Sequence, residues 1–315
     1  MMPPPAGDGF GPGPSAAFSY KRPNVFFRNE GIHIVFISDL KKRYNAVNGT
    51  FYDVINMKWK QYMDNKNNFL MDFKSAIMFI TIFPAGKNVP FSPMGMIRFF
   101  PVVGLIIGCF LAGVNHVFSF FWQTPVVAVL DVLFLVAVTG AFHLDGLGDA
   151  ADGLFSHRSK QRTLEIMKDS RTGMMGLVAI FCTLAVKTAG IYSINTSCTN
   201  FETMILFFII PSYARGGMLF GIRYLKYGRE NTGTGHDFFK ESLELKNFIP
   251  LVIPVGLSLF LGAKGLLLIV VFCVSTFLIL WFYKKKMGCI TGDMLGAMTE
   301  ITEAVLFLWA GAALI

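Results

Sequence analysis

Charge is scarce in this chain. Of its 315 residues only 15% are Asp, Glu, Lys or Arg, against 53% hydrophobic, and the mean hydropathy is +0.53. That balance excludes an ordinary soluble domain and favours a membrane protein. Cysteine is also sparse: Cys109, Cys182, Cys198, Cys273 and Cys289 have no paired metal-ligand spacing and mostly lie inside apolar runs, so they read as small packing residues. No charged start followed by an apolar core opens the chain, which excludes a secretory signal. Neither a P-loop nor a GxGxxG pattern occurs in the glycine-rich loop YGRENTGTGHDF, residues 227–238, so this candidate nucleotide wrap is a weak signal.

What is abundant is uninterrupted apolar sequence. Runs near 97–121, 124–142, 173–194, 203–222, 247–262, 265–283 and 295–315 match the ~20 residues that cross a hydrocarbon core. Pro250, Pro254 and Gly256 interrupt the fifth. The piece 73–85 is short for a span and reads as a re-entrant or interfacial helix. The expected fold is therefore an all-α, polytopic integral membrane bundle of about seven spans plus that short helix.

The formal charge of +8 is distributed by topology, with no need of nucleic acid as a partner. Arg158, Lys160, Arg162, Lys168 and Arg171 fall in one inter-span loop. Arg223, Lys226, Arg229, Lys240 and Lys246 fall in a second, and Lys284, Lys285 and Lys286 begin a third. Pairs of spans separate these loops, so all three lie on one side, which the positive-inside rule assigns to the cytoplasm. Residues 1–68 differ from the rest, opening MMPPPAGDGFGPGPSAAFSYKRP and continuing polar and irregular. They are expected to be disordered or weakly structured ahead of a membrane domain at 69–315. Met63 and Met71 precede the apolar body, so an over-early start is a second expectation.

One short stretch concentrates the scarce acid. HLDGLGDAADG, residues 143–153, follows an apolar run and holds Asp145, Asp149 and Asp152. Spacings of four and three put the three carboxylates within roughly 60° on one helix face. They repel one another unless a cation sits among them, and a hard divalent ion such as Mg²⁺, taking carboxylates together with substrate phosphates, suits that donor set. The glycines at 146, 148 and 153 read as room for a bulky ligand to approach the backbone. A solvated helix end is the plainer alternative. Asp293, Glu300 and Glu303 in TGDMLGAMTEITEAVLFL form a second acidic group at the same membrane face, and one shared site is expected.

Basic residues supply the complement. In KDSRTG, directly before a span, Lys168, Asp169 and Arg171 are candidate phosphate contacts. Arg215 in PSYARGGM is a cation within another span and a candidate partner for carboxylate or phosphate, and Lys187 lies mid-span in LAVKTAGIY. Asp131 is expected to have a structural partner. His143, beside the aspartates, is either a general base or a neutral hydrogen-bonding side chain.

HLDGLGDAADGLFS, then LEIMKDSRTGMMG, then TGDMLGAMTEITE, with FITIFPAGK and RFFPVVGLIIG ahead of them, resemble the cobalamin synthase family, the adenosylcobinamide-GDP ribazoletransferases. The resemblance runs from about residue 70 to the end. It implies a Mg²⁺-dependent integral membrane enzyme of the cytoplasmic membrane that joins adenosylcobinamide-GDP to α-ribazole or its 5′-phosphate and releases GMP. On that reading Asp145, Asp149, Asp152 and Asp293 serve the metal, Lys168, Asp169, Arg171 and Arg215 the substrate, and His143 or Glu300 takes the proton of the attacking hydroxyl. Phosphorylation of the ribazole and assembly as a homo-oligomer stay open. Two other readings compete. A CDP-alcohol phosphotransferase would carry Ala-Arg shortly after Asp-Gly, whereas Asp145-Gly146 is followed by Leu-Gly-Asp. A transporter would show internal repeats and midplane charge, whereas most charge here gathers at one face.

Overall fold

A computed structural model describes residues 69–169, 171–229 and 235–312. The expectations placed on 1–68, and the middle of the 227–238 loop, lie outside those residues. The described chain is helical: α1 Phe69–Ile80, α2 Pro93–Phe118, α3 Thr124–Val138, α4 Phe142–Leu154 and α5 Lys160–Ile166. There follow α6 Met174–Ser197, α7 Asn200–Tyr224, α8 Leu245–Leu259, α9 Ala263–Lys286 and α10 Gly292–Ala310. Among the described residues no β-strand occurs, only a bridge between Tyr227 and Ile290.

The all-α membrane architecture agrees with the sequence, but the span count differs. Among the described residues four helices, α2, α6, α7 and α9, are long and apolar enough to cross a membrane, and α3 with α4 makes a fifth if a pair bent by 89° counts as one span. Helix α8 is short and begins as a 3₁₀ turn around Pro250. Helix α10 has 19 residues but carries Asp293, Glu300 and Glu303, too much acid for a lipid-facing span. Its carboxylates are tolerated because it is enclosed: α10 packs against α4, α6, α7 and α9. The short α1 agrees with the expected non-spanning helix. It is fastened by Asp72, which accepts from Ser92 Oγ at 2.6 Å and Arg98 Nη2 at 2.9 Å.

Close helix contacts follow from small residues and one proline. Pro211 interrupts α7 and withholds the N–H that would bond the Phe207 carbonyl. Helix α2 meets α7 at that point through Gly104 and Gly108, where an added Cβ would lie 2.4 Å from the Pro211 and Phe207 oxygens respectively. Ser212 Oγ donates to Pro101 O at 2.8 Å across the same seam. This small-xxx-small spacing lets two backbones touch where lipid offers no hydrophobic drive to do so.

Candidate active site

The acidic face is positioned by a break in the chain. Gly140 and Ala141 both adopt left-handed φ of 57°, ending α3 and turning the chain sharply into α4. The next thirteen residues are helical, so Asp145, Asp149 and Asp152 share a face as their spacing predicts. Asp145 is exposed, and Asp149 and Asp152 are half-buried. The α4 glycines serve a different purpose from the one expected. A Cβ on Gly146 would lie 3.0 Å from Asp293 O, one on Gly148 3.1 Å from Ile180, and one on Gly153 2.6 Å from Met167. The space they leave is filled by α10, α6 and the α5 end; ligand room is not what these glycines provide.

Asp152 is committed to another helix. Its Oδ2 accepts from Gly173 N at 2.6 Å and its Oδ1 from Gly176 N at 2.8 Å. These are orphan amides at the start of α6, where a carboxylate is favoured both as hydrogen-bond acceptor and by the helix dipole. Gly176 is required here, since a Cβ would stand 2.6 Å from the carboxylate.

Asp293 completes the cluster from α10. The Gly146–Asp293 backbone contact and a Cβ-free Gly296, whose added atom would lie 3.1 Å from His143 O, bring the start of α10 against the acidic face. Asp149 accordingly senses the charges of Asp145, Asp152 and Asp293, and that of one cation, Arg229. Arg229 pairs with Asp293 through Nη2, and the same nitrogen donates to Met167 O at 3.2 Å. The loop bearing it is zipped onto the approach to α10 by Gly228 N to Ile290 O and Ile290 N to Lys226 O, each 2.9 Å. Sequence reasoning put Arg229 in a basic topological loop and, within YGRENTGTGHDF, in a weak candidate nucleotide wrap, but not among the aspartates.

Among the described residues no three His, Cys, Asp or Glu side chains already close into a metal cage. The donor set nonetheless fits a hard divalent ion: all oxygens, carboxylates from two helices, and a guanidinium standing where positive charge is needed. Mg²⁺ uses one or two carboxylates and completes its shell with water and substrate phosphate, so a prebuilt cage is not required.

Of the second acidic group, only Asp293 joins the first. Glu300 and Glu303 turn into the bundle, where Lys187 Nζ lies 2.6 Å from an oxygen of each and Arg215 pairs with Glu303. All four side chains are almost wholly buried. Arg215, expected at substrate, and Glu300, expected as a base, are thus placed in an ionic network joining α6, α7 and α10. Lys187, the lone mid-span cation, has found its partners there. His143 is buried, with neither ring nitrogen bonded. Asp131 has the partner expected of it, Asn115 Nδ2 at 2.7 Å.

The KDSRTG loop and the residue before it, Met167, lie beside the aspartates through their backbone. Met167 O receives Arg229, Gly173 N binds Asp152, and Lys168 and Arg171 are exposed between them. Arg171 holds Asp169 with Nε at 3.0 Å and Nη2 at 2.6 Å. Those hydrogen bonds pull the Asp169 carboxyl down to about 2.

Residues 72–311 match the family model described as cobalamin-5-phosphate synthase. The chain belongs to that family. Curated relatives named adenosylcobinamide-GDP ribazoletransferase include one from Desulforamulus reducens, 32% identical over 236 residues, 74% of this chain and 93% of that protein. One from Acetivibrio thermocellus is 35% identical over 67% of this chain and 84% of its own length, and one from Roseiflexus sp. is 35% identical over 73% and 85%. No solved structure matches. The matched segment contains every candidate residue of the synthase-family site, from His143 to Glu300.

Proposed function

We propose that this family member is an adenosylcobinamide-GDP ribazoletransferase, joining adenosylcobinamide-GDP to α-ribazole or α-ribazole 5′-phosphate with release of GMP. The observation that carries the reading to this chain is the α4 carboxylate face meeting Asp293 at the start of α10, flanked by Lys168 and Arg171. In the reaction a ribazole hydroxyl oxygen forms a bond to the cobinamide-proximal phosphorus, the bond from that phosphorus to the GMP oxygen breaks, and the hydroxyl proton passes to a base.

Asp145, Asp149 and Asp293 would hold Mg²⁺, with Asp152 fixing the register of α4 against α6 as well as contributing charge. Bound there, Mg²⁺ supplies charge neutralisation on the phosphoryl oxygens and the departing GMP. Lys168 and Arg171 bind phosphate oxygens at the rim, Arg171 exchanging its contact with Asp169 for the substrate. Neither candidate base reaches the carboxylate face: Glu300 is held by Lys187, and His143 is buried in the field of Arg215, Glu303 and Lys187. The positive-inside rule, applied to the basic segments beside the site, supports a cytoplasmic face in the cytoplasmic membrane.

The test is GMP release by purified protein, with and without α-ribazole and Mg²⁺. Release is expected to need both, and Asp149→Asn to lower it at least about a hundredfold, the scale of removing one charge-stabilising group, with unchanged membrane insertion. Full activity of that variant would remove Asp149 from the metal shell, and intact substrates with the wild-type protein would remove the reading.

A further inference from the structure

Arg229 is out of place for a residue of purely topological function. Its guanidinium lies among the carboxylates and is nearly enclosed, with 11% of the side chain exposed. The three residues before it are held by the pairing of Lys226–Gly228 with Ile290, which keeps the side chain over the cluster. Nη2 serves both Asp293 and Met167 O, while Nε is buried with no hydrogen-bond partner. An arginine stays charged at any accessible pH and has five donors in a fork that matches phosphate. Here that fork is only partly used.

A divalent cation and this guanidinium also compete for the same oxygens. Asp293 Oδ2 is the atom that Arg229 holds, and Asp149 lies within the field of both. A metal that takes Asp293 Oδ2 displaces Arg229 from that oxygen, and Arg229 cannot yield by losing a proton. The nearest chemistry able to receive the displaced fork is the anion that arrives with the metal.

Building on the function proposed above, we propose that Arg229 is a placeholder cation: it neutralises Asp293 until a divalent metal binds, and then transfers to the pyrophosphate oxygens of the nucleotide substrate. The residue thereby couples metal loading to substrate binding. An empty site is kept from excess negative charge, and a metal-loaded one presents a guanidinium to phosphate.

The test measures metal and nucleotide separately on full-length protein in detergent, using Mn²⁺ binding followed by electron paramagnetic resonance without nucleotide, and the KM for adenosylcobinamide-GDP from GMP release. In Arg229→Gln the Mn²⁺ dissociation constant is expected to fall and the KM to rise, each about tenfold, the scale of one charge-assisted hydrogen bond. Arg229→Lys keeps a competing charge without the fork, so its Mn²⁺ affinity should stay near wild type while its KM rises. Arg162→Gln, an exposed change on α5, should alter neither. Weaker or unchanged Mn²⁺ binding in Arg229→Gln makes Arg229 a structural partner of Asp293 and overturns the proposal, as does tighter binding with an unchanged KM. Absence of GMP release from wild type would defeat the transferase reading by itself, while the Mn²⁺ comparison would still decide whether Arg229 holds the metal's place.

Discussion

Lys187 is a full positive charge near the middle of α6, and the bundle accepts it because Glu300 and Glu303 stand 2.6 Å away. Removing one partner of a buried pair leaves the other charge uncompensated, typically costing about 3–5 kcal/mol. Lys187→Met should therefore lower the apparent melting temperature in detergent sharply. The double variant Lys187→Met with Glu300→Gln should recover part of that loss, because one of the stranded charges is gone. A single variant that melts like wild type would mean the four-residue network contributes nothing to holding α6, α7 and α10 together. This network also marks what a sequence reveals at the scale of residues. A lone lysine in an apolar run announces that a partner exists, but the partners lie 113 and 116 positions away, and nothing local distinguishes Glu300 from a catalytic base or Arg215 from a phosphate ligand. Asp145, Asp149 and Asp152 were legible because their relation is local, set by helical spacing alone.

Elements meet where side chains are smallest. On α2, Gly108 faces the Phe207 and Phe208 carbonyls, where a Cβ would come within 2.4 and 2.5 Å, while Gly113, one turn and a half further on, has nothing within 4 Å. The two glycines make a matched pair on one helix. Gly108→Ala is expected to destabilise the protein by roughly 1–3 kcal/mol, the usual effect of overpacking a close contact, seen as a lower melting temperature and a smaller monodisperse fraction after extraction. Gly113→Ala should be neutral or slightly stabilising through helix propensity. Equal behaviour of the two would show that α2 and α7 do not approach as closely as described. The sharp turn at Gly140–Ala141 was less accessible to sequence reasoning. The apolar run continues to Ala141 and conceals the point where two left-handed residues end α3. The expected span at 124–142 is consequently a fifteen-residue helix followed by one at 89° to it.

At the scale of the whole molecule, two kinds of information point to the same face. The basic segments 158–171 and 223–246 are separated by two helices long enough to span, α6 and α7, and so share a side, and the bent α4, the start of α10 and Arg229 bring the acidic cluster beside them. The shared side of 158–171 and 223–246 was readable, whereas bringing 284–286 to it took α8, which is shorter than a span, as a crossing. Helix α10 shows why the span count itself was not readable: its carboxylates are shielded by four neighbouring helices, information that no window of apolar residues contains. The shared face predicts sidedness. In a variant with the native cysteines replaced, Lys160→Cys should react with an impermeant maleimide only in inside-out membrane vesicles, and Gln123→Cys, between α2 and α3, only in right-side-out ones. Both positions are exposed and lie outside the proposed machinery, so labelling should leave the fold intact. The reverse pattern would turn the carboxylate cluster away from the cytoplasm and overturn the orientation proposed for it. Labelling of both cysteines from one side would instead mean that α2 and its neighbours do not cross the membrane between the two loops.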